Sequence, residues 1–137
     1  MAIRSIRTIG DAILEKKTKA VKEMTGRLKE LISDMFDTMY DANGVGLAAP
    51  QVGVLKQIFV VDIGDGKQYV AINPEITVVG EEVQTGEEGC LSVPGKEGVV
   101  TRPMHIKVKA LDQNMKEYTL DASGFLARAF SHENDHL

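Results

Sequence analysis

Apolar residues recur at helical spacing in the first third of the chain. From Leu28 to Tyr40 they stand three or four positions apart, and charged residues occupy many of the positions between them. Such spacing places the apolar side chains on one face of a helix. Thr25 is a suitable N-cap because its hydroxyl can accept a hydrogen bond from an early backbone amide. The pattern predicts an amphipathic core helix that begins after Thr25.

Strands are predicted in the middle of the chain. Residues 58–63 and 69–72 are rich in β-branched and aromatic side chains, and the Gly-Asp-Gly turn between them favours a hairpin. A separate strand is predicted over 76–79, because the preceding Asn-Pro pair breaks the earlier strand. Residues 105–111 alternate polar with apolar side chains, and residues 117–120 can return against them. This pattern predicts a second hairpin.

The last predicted element is a helix that begins near residues 121–123. Phe125, Ala129, His132 and His136 follow one another at spacings of four, three and four, so they share one face of this helix. The histidines are therefore expected to face the core. The predicted fold class is α+β: one compact domain of mostly antiparallel strands around a core helix, with a C-terminal helix that carries a candidate metal site.

Length, composition and charge narrow the range of functions. A chain of 137 residues, 43% of them hydrophobic, is expected to form one domain over residues 1–137. Its 16 basic and 20 acidic residues give a formal net charge of -4. The chain lacks a continuous block of Lys and Arg of the kind that indicates nucleic-acid binding. No apolar stretch is long enough for a signal peptide or a membrane span. The single cysteine cannot form an internal disulfide, so the cytoplasm is the default location.

Residues 132–136, His-Glu-Asn-Asp-His, have the spacing of a metal-binding helix. Since positions i and i+4 share a helix face, His132 and His136 can bind one ion while Glu133 reaches its edge. Cys90 adds a candidate thiolate ligand. Three protein ligands would leave a fourth position open for water, as in catalytic sites. A thiolate with two imidazoles admits Fe(II), Zn, Co or Ni by ligand type.

Each of these signals has a simpler alternative. A bare HExxH pattern also occurs on helices without a metal, where the histidines bond to backbone or carboxylate groups. A lone cysteine such as Cys90 is most often an inert, buried small hydrophobe. A zincin peptidase would take its third ligand from downstream, but only Leu137 follows the motif. His105 alternates with lysines on the polar side of its strand and is expected to be solvated.

The glycine-rich segment 44–53 follows the core helix directly. Its small residues permit close approach of another chain, and its free amides and carbonyls could pair with an extended peptide. Gln51 could donate a side-chain N–H to a developing oxyanion. The alternative for this segment alone is a helix C-cap and turn with a solvated Gln51.

Three motifs together resemble those of peptide deformylase: Gly-Val-Gly-Leu-Ala-Ala-Pro-Gln at 44–51, Glu-Gly-Cys-Leu-Ser at 88–92 and His-Glu-Asn-Asp-His at 132–136. Their order and spacing match, and the likeness covers almost the whole chain. The resemblance implies a cytoplasmic amidase of bacterial type that hydrolyses the N-formyl group from the formylmethionine of nascent polypeptides and releases formate. It also implies one divalent ion, Fe(II) in the cell, with Zn, Ni or Co as substitutes.

The resemblance assigns roles by position. Cys90, His132 and His136 would bind the metal, and Glu133 would be the general acid/base. The side chain of Gln51 and the backbone N–H of Leu91 would hold the oxyanion. Substrate contacts are expected around a pocket for the methionine side chain, from Gly44, Val45, Gly46, Glu88, Gly89, Phe125 and Ala129.

The expected partners are formylmethionyl peptides, with the ribosome near the nascent-chain exit as a candidate; neither nucleic acid nor a membrane is expected to bind directly. Ser131 departs from the family pattern, which usually has glutamine there. The chain also ends one residue after His136, where the family usually continues into a C-terminal tail. The alternatives are a zinc-stabilised domain without chemistry, which would need a fourth Cys or His ligand, and a general metallopeptidase.

Overall fold

Strand β2, Ile58–Val61, is buried on both faces and lies inside the sheet. A computed structural model describes residues 2–8, 14 and 17–137, without the side chains of residues 94–97. Ile58 and Val60 belong to one apolar cluster, whereas Phe59 and Val61 belong to another. Successive strand residues point to opposite faces, so a strand covered on both sides needs such a continuous apolar run.

The described strands form one five-stranded sheet and one two-stranded hairpin. Along the chain the strands are β1 (Gly46–Ala48), β2, β3 (Tyr69–Val78), β4 (Val83–Cys90), β5 (Val93–Pro103), β6 (His105–Leu111) and β7 (Glu117–Ser123). The larger sheet has the order β1-β2-β3-β6-β7, and each neighbouring pair is antiparallel. Strands β4 and β5 pair only with each other.

Two helices pack on opposite faces of the larger sheet. Helix α1 (Gly26–Asp41) contributes to the first apolar cluster, and helix α2 (Gly124–Asn134) contributes to the second. Phe130 of α2 meets Phe59 edge to face, with ring centroids 5.3 Å apart. The predicted α+β fold class with a C-terminal helix is confirmed. Within the described ranges, no helix is long and apolar enough to cross a membrane.

Several predicted elements are confirmed, but one strand break is not. Thr25 caps α1 by accepting a hydrogen bond from the Leu28 amide at 3.2 Å, and both predicted hairpins form. The separate strand over 76–79 is wrong, because β3 continues to Val78 with a register irregularity between Ile72 and Glu75. Asn73 lies there with φ 51°, a conformation that asparagine tolerates, so the strand bulges instead of ending.

The β4–β5 hairpin is absent from the sequence-based prediction. Its strands are rich in glycine and glutamate, which have low strand propensity, so composition does not reveal them. The hairpin lies against α2, where Gln84 Nε2 donates to the Gly124 carbonyl at 2.6 Å. Its register shifts between Gly89 and Cys90 at the end of β4. The hairpin therefore brings Cys90 to the helix that carries the two histidines.

Candidate active site

Cys90, His132 and His136 offer ligand atoms that all lie within 4.8 Å of one another. Cys90 is the last residue of β4. His132 lies in α2, and His136 lies two residues after the end of that helix. The Cys90 Sγ lies 3.5 Å from the His136 Nε2, and the two imidazole rings have centroids 5.2 Å apart. One thiolate and two imidazoles at this spacing suit a single divalent transition-metal ion.

A carboxylate fixes the orientation of the His132 ring. The Nδ1 of His132 lies 2.9 Å from the Glu88 Oε1, so it donates its proton to that oxygen and leaves Nε2 for an ion. Burial raises the pKa of Glu88, but hydrogen bonds and charge from Arg102 and His132 outweigh burial and leave this pKa below its ordinary value. Glu88 is thus ionised at neutral pH and accepts a hydrogen bond from His132.

The thiol of Cys90 and the imidazole of His132 shift each other's pKa. Burial raises the pKa of Cys90, but hydrogen bonds with His132 and His136 outweigh it and lower this pKa to about 5. The hydrogen bond with Cys90 raises the pKa of His132 to about 9 against the opposing effect of burial, with help from Glu133 and Glu88. A cation would replace the imidazolium proton, because a histidine ligand must be neutral.

Glu133 lies beside the ligand set with an unpaired acceptor. Its side chain is buried, and its Oε1 has no hydrogen-bond partner among the described residues. Burial raises the pKa of Glu133 to about 7, although His132 and His136 lower it. An orphaned buried acceptor costs free energy unless a ligand or water satisfies it, so this oxygen indicates a site where one binds. The donor set and this oxygen together fit a catalytic ion with a neighbouring base.

Gln51 is buried, so the solvated alternative for this segment is wrong. It lies in a single 3₁₀ turn over Ala49–Val52, and its Oε1 accepts a hydrogen bond from the Ala48 amide at 2.9 Å. Its Nε2 donates to the Ser92 hydroxyl at 3.0 Å and faces the Cys90 Sγ at 3.5 Å. The Gln51 amide is therefore held in one orientation, with its donor beside the ligand set.

The N-terminal segment, residues 2–8, contacts both α1 and the turn that carries Gln51. Arg4 forms an ion pair with the buried Asp34 of α1 at 2.9 Å. Further along, the Arg7 amide donates to the Gln51 carbonyl at 2.6 Å. Side chains of this segment also line the cavity at the ligand set. The sequence interpretation gave this segment no role.

The candidate substrate residues surround one cavity of about 930 Å³. Its lining includes Cys90, His132, Glu133, Gln51 and Leu91 together with the seven predicted contacts, Gly44, Val45, Gly46, Glu88, Gly89, Phe125 and Ala129. The histidines, expected to face the core, are both half-buried, and His132 lines the cavity. Phe125 is 52% exposed and Ala129 only 6%, so Phe125 does not pack in the core and Ala129 is the more enclosed.

Comparison with known proteins shows the family of this chain. The family model described as polypeptide deformylase matches residues 3–137. The chain belongs to the polypeptide deformylase family. A peptide deformylase of Lachnoclostridium phytofermentans is 57% identical over 139 residues, which cover 100% of this chain and 85% of the relative. Peptide deformylase 1 of Clostridium perfringens is also 57% identical, over 100% of this chain and 93% of that protein.

Solved structures of deformylases have the same fold. The enzyme of Thermotoga maritima is 42% identical with a TM-score of 0.94, over 98% of this chain and 91% of that one. The Ehrlichia chaffeensis deformylase, solved in complex with actinonin, is 40% identical with a TM-score of 0.96, over 100% of this chain and 84% of that one. As a member of this metal-dependent family, the chain is a hydrolase.

Sequence reasoning missed four polar residues that contact the site. Ser92 accepts from Gln51, while Arg102 and Arg128 bind Glu88, and Asp135 pairs with Arg102. Arg128 gave a signal, because a charge between Ala127 and Ala129 on an apolar helix needs a buried partner. The other three did not, since their partners lie far away along the chain.

His105 lies on the outside of the sheet. Its Nδ1 is 2.8 Å from the Ser123 hydroxyl, and its Nε2 is 3.1 Å from the Glu82 carboxylate. The ring is 44% exposed. The Ser123 hydroxyl makes no capping bond to α2, which begins at Gly124.

Proposed function

We propose that this deformylase removes the formyl group from the formylmethionine of nascent polypeptides by using one divalent ion held by Cys90, His132 and His136. The observation that carries the proposal is the convergence of these three ligand atoms within 4.8 Å beside the orphaned carboxylate oxygen of Glu133. Such an ion supplies Lewis acidity, which polarises a carbonyl and makes water more acidic.

Glu133 moves the proton in this proposal. Its Oε1 accepts a proton from the attacking water and returns it to the departing amine nitrogen, which becomes the new N-terminus of the peptide. The orphaned state of this oxygen supports the role, because no neighbouring group among the described residues competes for it. The raised pKa of about 7 also suits a group that takes up and releases a proton near neutrality.

Gln51 and Leu91 stabilise the developing oxyanion. Water attack on the formyl carbon places negative charge on the formyl oxygen, where the Gln51 Nε2 and the Leu91 backbone N–H donate hydrogen bonds. The hydrogen bond from Ala48 holds the Gln51 amide in place before the substrate arrives. A preorganised donor of this kind is typically worth about 2.7–4 kcal/mol of the activation barrier.

The cavity selects the methionine side chain. Val45 and Phe125 supply apolar surface at the rim, and Ala129 leaves space for a flexible side chain beside His132. Gly44, Gly46 and Gly89 line the cavity, where their backbone amides and carbonyls can pair with the peptide. The carboxylate of Glu88 is occupied by His132 and two arginines, so Glu88 acts on the pocket through these neighbours.

A substrate series tests this pocket. Formyl-Met peptides should exceed formyl-Ala peptides by more than about tenfold in kcat/KM, because buried methylene groups each contribute to binding. Ala129→Val should lower kcat/KM for formyl-Met peptides more than for formyl-Ala peptides, since it fills the space beside His132. Equal rates for the two substrates would exclude a methionine pocket.

The remaining parts of the proposal concern the cellular setting. The native ion is Fe(II), with Zn, Ni or Co as substitutes, which one soft thiolate and two imidazoles support. The substrates are met in the cytoplasm near the ribosome exit. A closed zinc module receives no support, because the ligand group among the described residues contains three side chains instead of four.

The decisive experiment measures formate release from a formyl-Met peptide by protein loaded anaerobically with Ni(II). The parent should release formate, and Glu133→Gln should retain one ion per chain while losing about 10²–10⁴-fold in kcat. Glutamine preserves the size of the side chain but accepts no proton. A Glu133→Gln protein that holds the ion and works as fast as the parent would refute the proton-transfer role.

A further inference from the structure

Arg102 of β5 joins the two parts of the chain that supply the metal ligands. Its Nε lies 3.1 Å from the Glu88 Oε2, and its Nη2 lies 3.0 Å from the Glu88 Oε1. Its Nη1 donates to the Asp135 Oδ2 at 2.5 Å. The guanidinium therefore binds the Glu88 carboxylate through two nitrogens and the Asp135 carboxylate through the third. Its side chain is only 15% exposed.

Both carboxylates stand next to metal-ligand candidates. Glu88 lies two residues before Cys90 on β4 and accepts a hydrogen bond from the His132 Nδ1. Asp135 follows the end of α2 and directly precedes His136. One cationic side chain thus contacts the neighbours of all three candidate ligands, although these ligands come from separate elements.

We propose that Arg102 is a positioning residue, which sets the spacing between Cys90 and the two histidines through Glu88 on one side and Asp135 on the other. The inference rests on the proposed ligand set. It assigns the guanidinium no contact with the substrate or the ion. Its action is to keep the β4–β5 hairpin and the end of α2 at the separation that one ion requires.

The contacts around Glu88 and Asp135 indicate that substitutions at Arg102 and Asp135 can change the metal site without unfolding the protein. Glu88 keeps an ion pair with the buried Arg128 at 2.8 Å, so replacing Arg102 does not leave its carboxylate without a cation. Asp135 is 62% exposed, so water can solvate its carboxylate once the pair with Arg102 is broken. The variants should therefore fold, and their main effect should fall on the metal site.

Arg102→Lys and Asp135→Asn remove different parts of the connection. Lysine keeps the positive charge, but its single nitrogen cannot form two hydrogen bonds to Glu88 and also reach Asp135. Asn at 135 keeps the shape of the side chain but removes the charge that Arg102 pairs with. Asp121→Asn is the matched control, because Asp121 is also an exposed carboxylate but lies on β7.

The test measures Co(II) in the whole protein by absorption and by release to a chelator. In the parent, a thiolate-to-cobalt charge-transfer band should report the Cys90 ligand. Both Arg102→Lys and Asp135→Asn should shift the cobalt spectrum and release the ion about 10- to 100-fold faster, the usual effect of disturbing groups behind metal ligands. Asp121→Asn should match the parent, and Asp135→Glu should recover part of the loss.

Three results would overturn the inference. Release rates and spectra within twofold of the parent in both variants would show that Arg102 does not set the ligand spacing. A change in Arg102→Lys without one in Asp135→Asn would limit the effect to Glu88 and contradict the two-sided connection. Absence of the charge-transfer band in the parent would overturn the proposed ligand set itself, and with it the inference.

Discussion

At the scale of single residues, Glu133 packs against backbone that leaves no room for a side chain. A Cβ at Gly46 would lie 2.5 Å from the Glu133 Oε2 and 2.8 Å from its Cγ. Gly26, at the start of α1, has nothing within 4 Å of the corresponding position. Glycine at 46 is thus required by the close approach of the proposed proton-transfer group.

Gly46→Ala should displace the Glu133 carboxylate and lower kcat by roughly 10²-fold, because a shift of about 1 Å in a reacting group has that effect. Ion content should stay at the parent level, since the three atoms nearest this position all belong to Glu133 and not to a candidate ligand. Gly26→Ala is the control and should leave kcat unchanged. Steady-state formate release together with metal analysis checks the prediction, which unchanged kcat in Gly46→Ala would contradict.

Cys90 allows a second residue-scale prediction, because it is the only cysteine in the chain. In ion-free protein its pKa of about 5 keeps the thiolate, the reactive form, at every pH well above that value. The rate of alkylation by iodoacetamide should therefore be high at pH 7 and fall as the pH drops through about 5. Zn(II) should protect the thiol. A rate that rises only near the ordinary thiol pKa would contradict the account.

The sequence alone could bring candidate residues together where they are close along the chain. His132 and His136 are four positions apart and Glu133 directly follows His132, so their proximity needs no tertiary information. Arg102 and Asp135 are separated by 33 residues, and their pairing depends on how β5 and α2 meet. No pattern in the sequence specifies that contact.

At the scale of elements, Asn73 explains why β3 continues where the sequence predicted a break. Its backbone has φ 51°, and its side chain exchanges two hydrogen bonds of 2.7 Å with the Val21 backbone. The side-chain amide thus pairs with the backbone N–H and C=O of Val21 and attaches that segment to the bulge in β3. Proline at 74 signalled an interruption correctly, but the sequence could not show that Asn73 would bind a distant segment at this point.

Substitutions at Asn73 separate its two contributions. Asn73→Gly should lose the hydrogen bonds but tolerate the positive φ, whereas Asn73→Ala should lose both and be about 1–2 kcal/mol less stable than the glycine variant. Urea unfolding followed by circular dichroism measures the difference. If the alanine variant proved at least as stable as the glycine variant, backbone conformation would not be the reason for asparagine here.

The β4–β5 hairpin shows the limit of element prediction more clearly. Strand β4 alternates exposed with half-buried residues and contains few of the apolar side chains that mark a strand. Instead of a wide apolar face, polar contacts such as the Arg128 hydrogen bonds to the Gly86 and Val100 carbonyls attach it to α2. Such contacts become visible only once both elements are in place.

At the scale of the whole molecule, the candidate site joins two units of the fold. Cys90 belongs to the hairpin, whereas the histidines belong to a helix packed on the five-stranded sheet. An ion that binds all three would stabilise the junction in addition to serving the reaction, because it binds only the folded arrangement. The fold class followed from the sequence, whereas the way in which the hairpin brings Cys90 to the candidate histidines did not.

The central claim is that one ion has three protein ligands and one open position. X-ray absorption of the Zn(II)-loaded protein tests it most directly. The account predicts one sulfur at about 2.3 Å and two imidazole nitrogens at about 2.0–2.1 Å, with one further light atom from solvent that an added anion can displace. A zinc ion without sulfur, or with a fourth protein ligand in place of the exchangeable atom, would contradict the account.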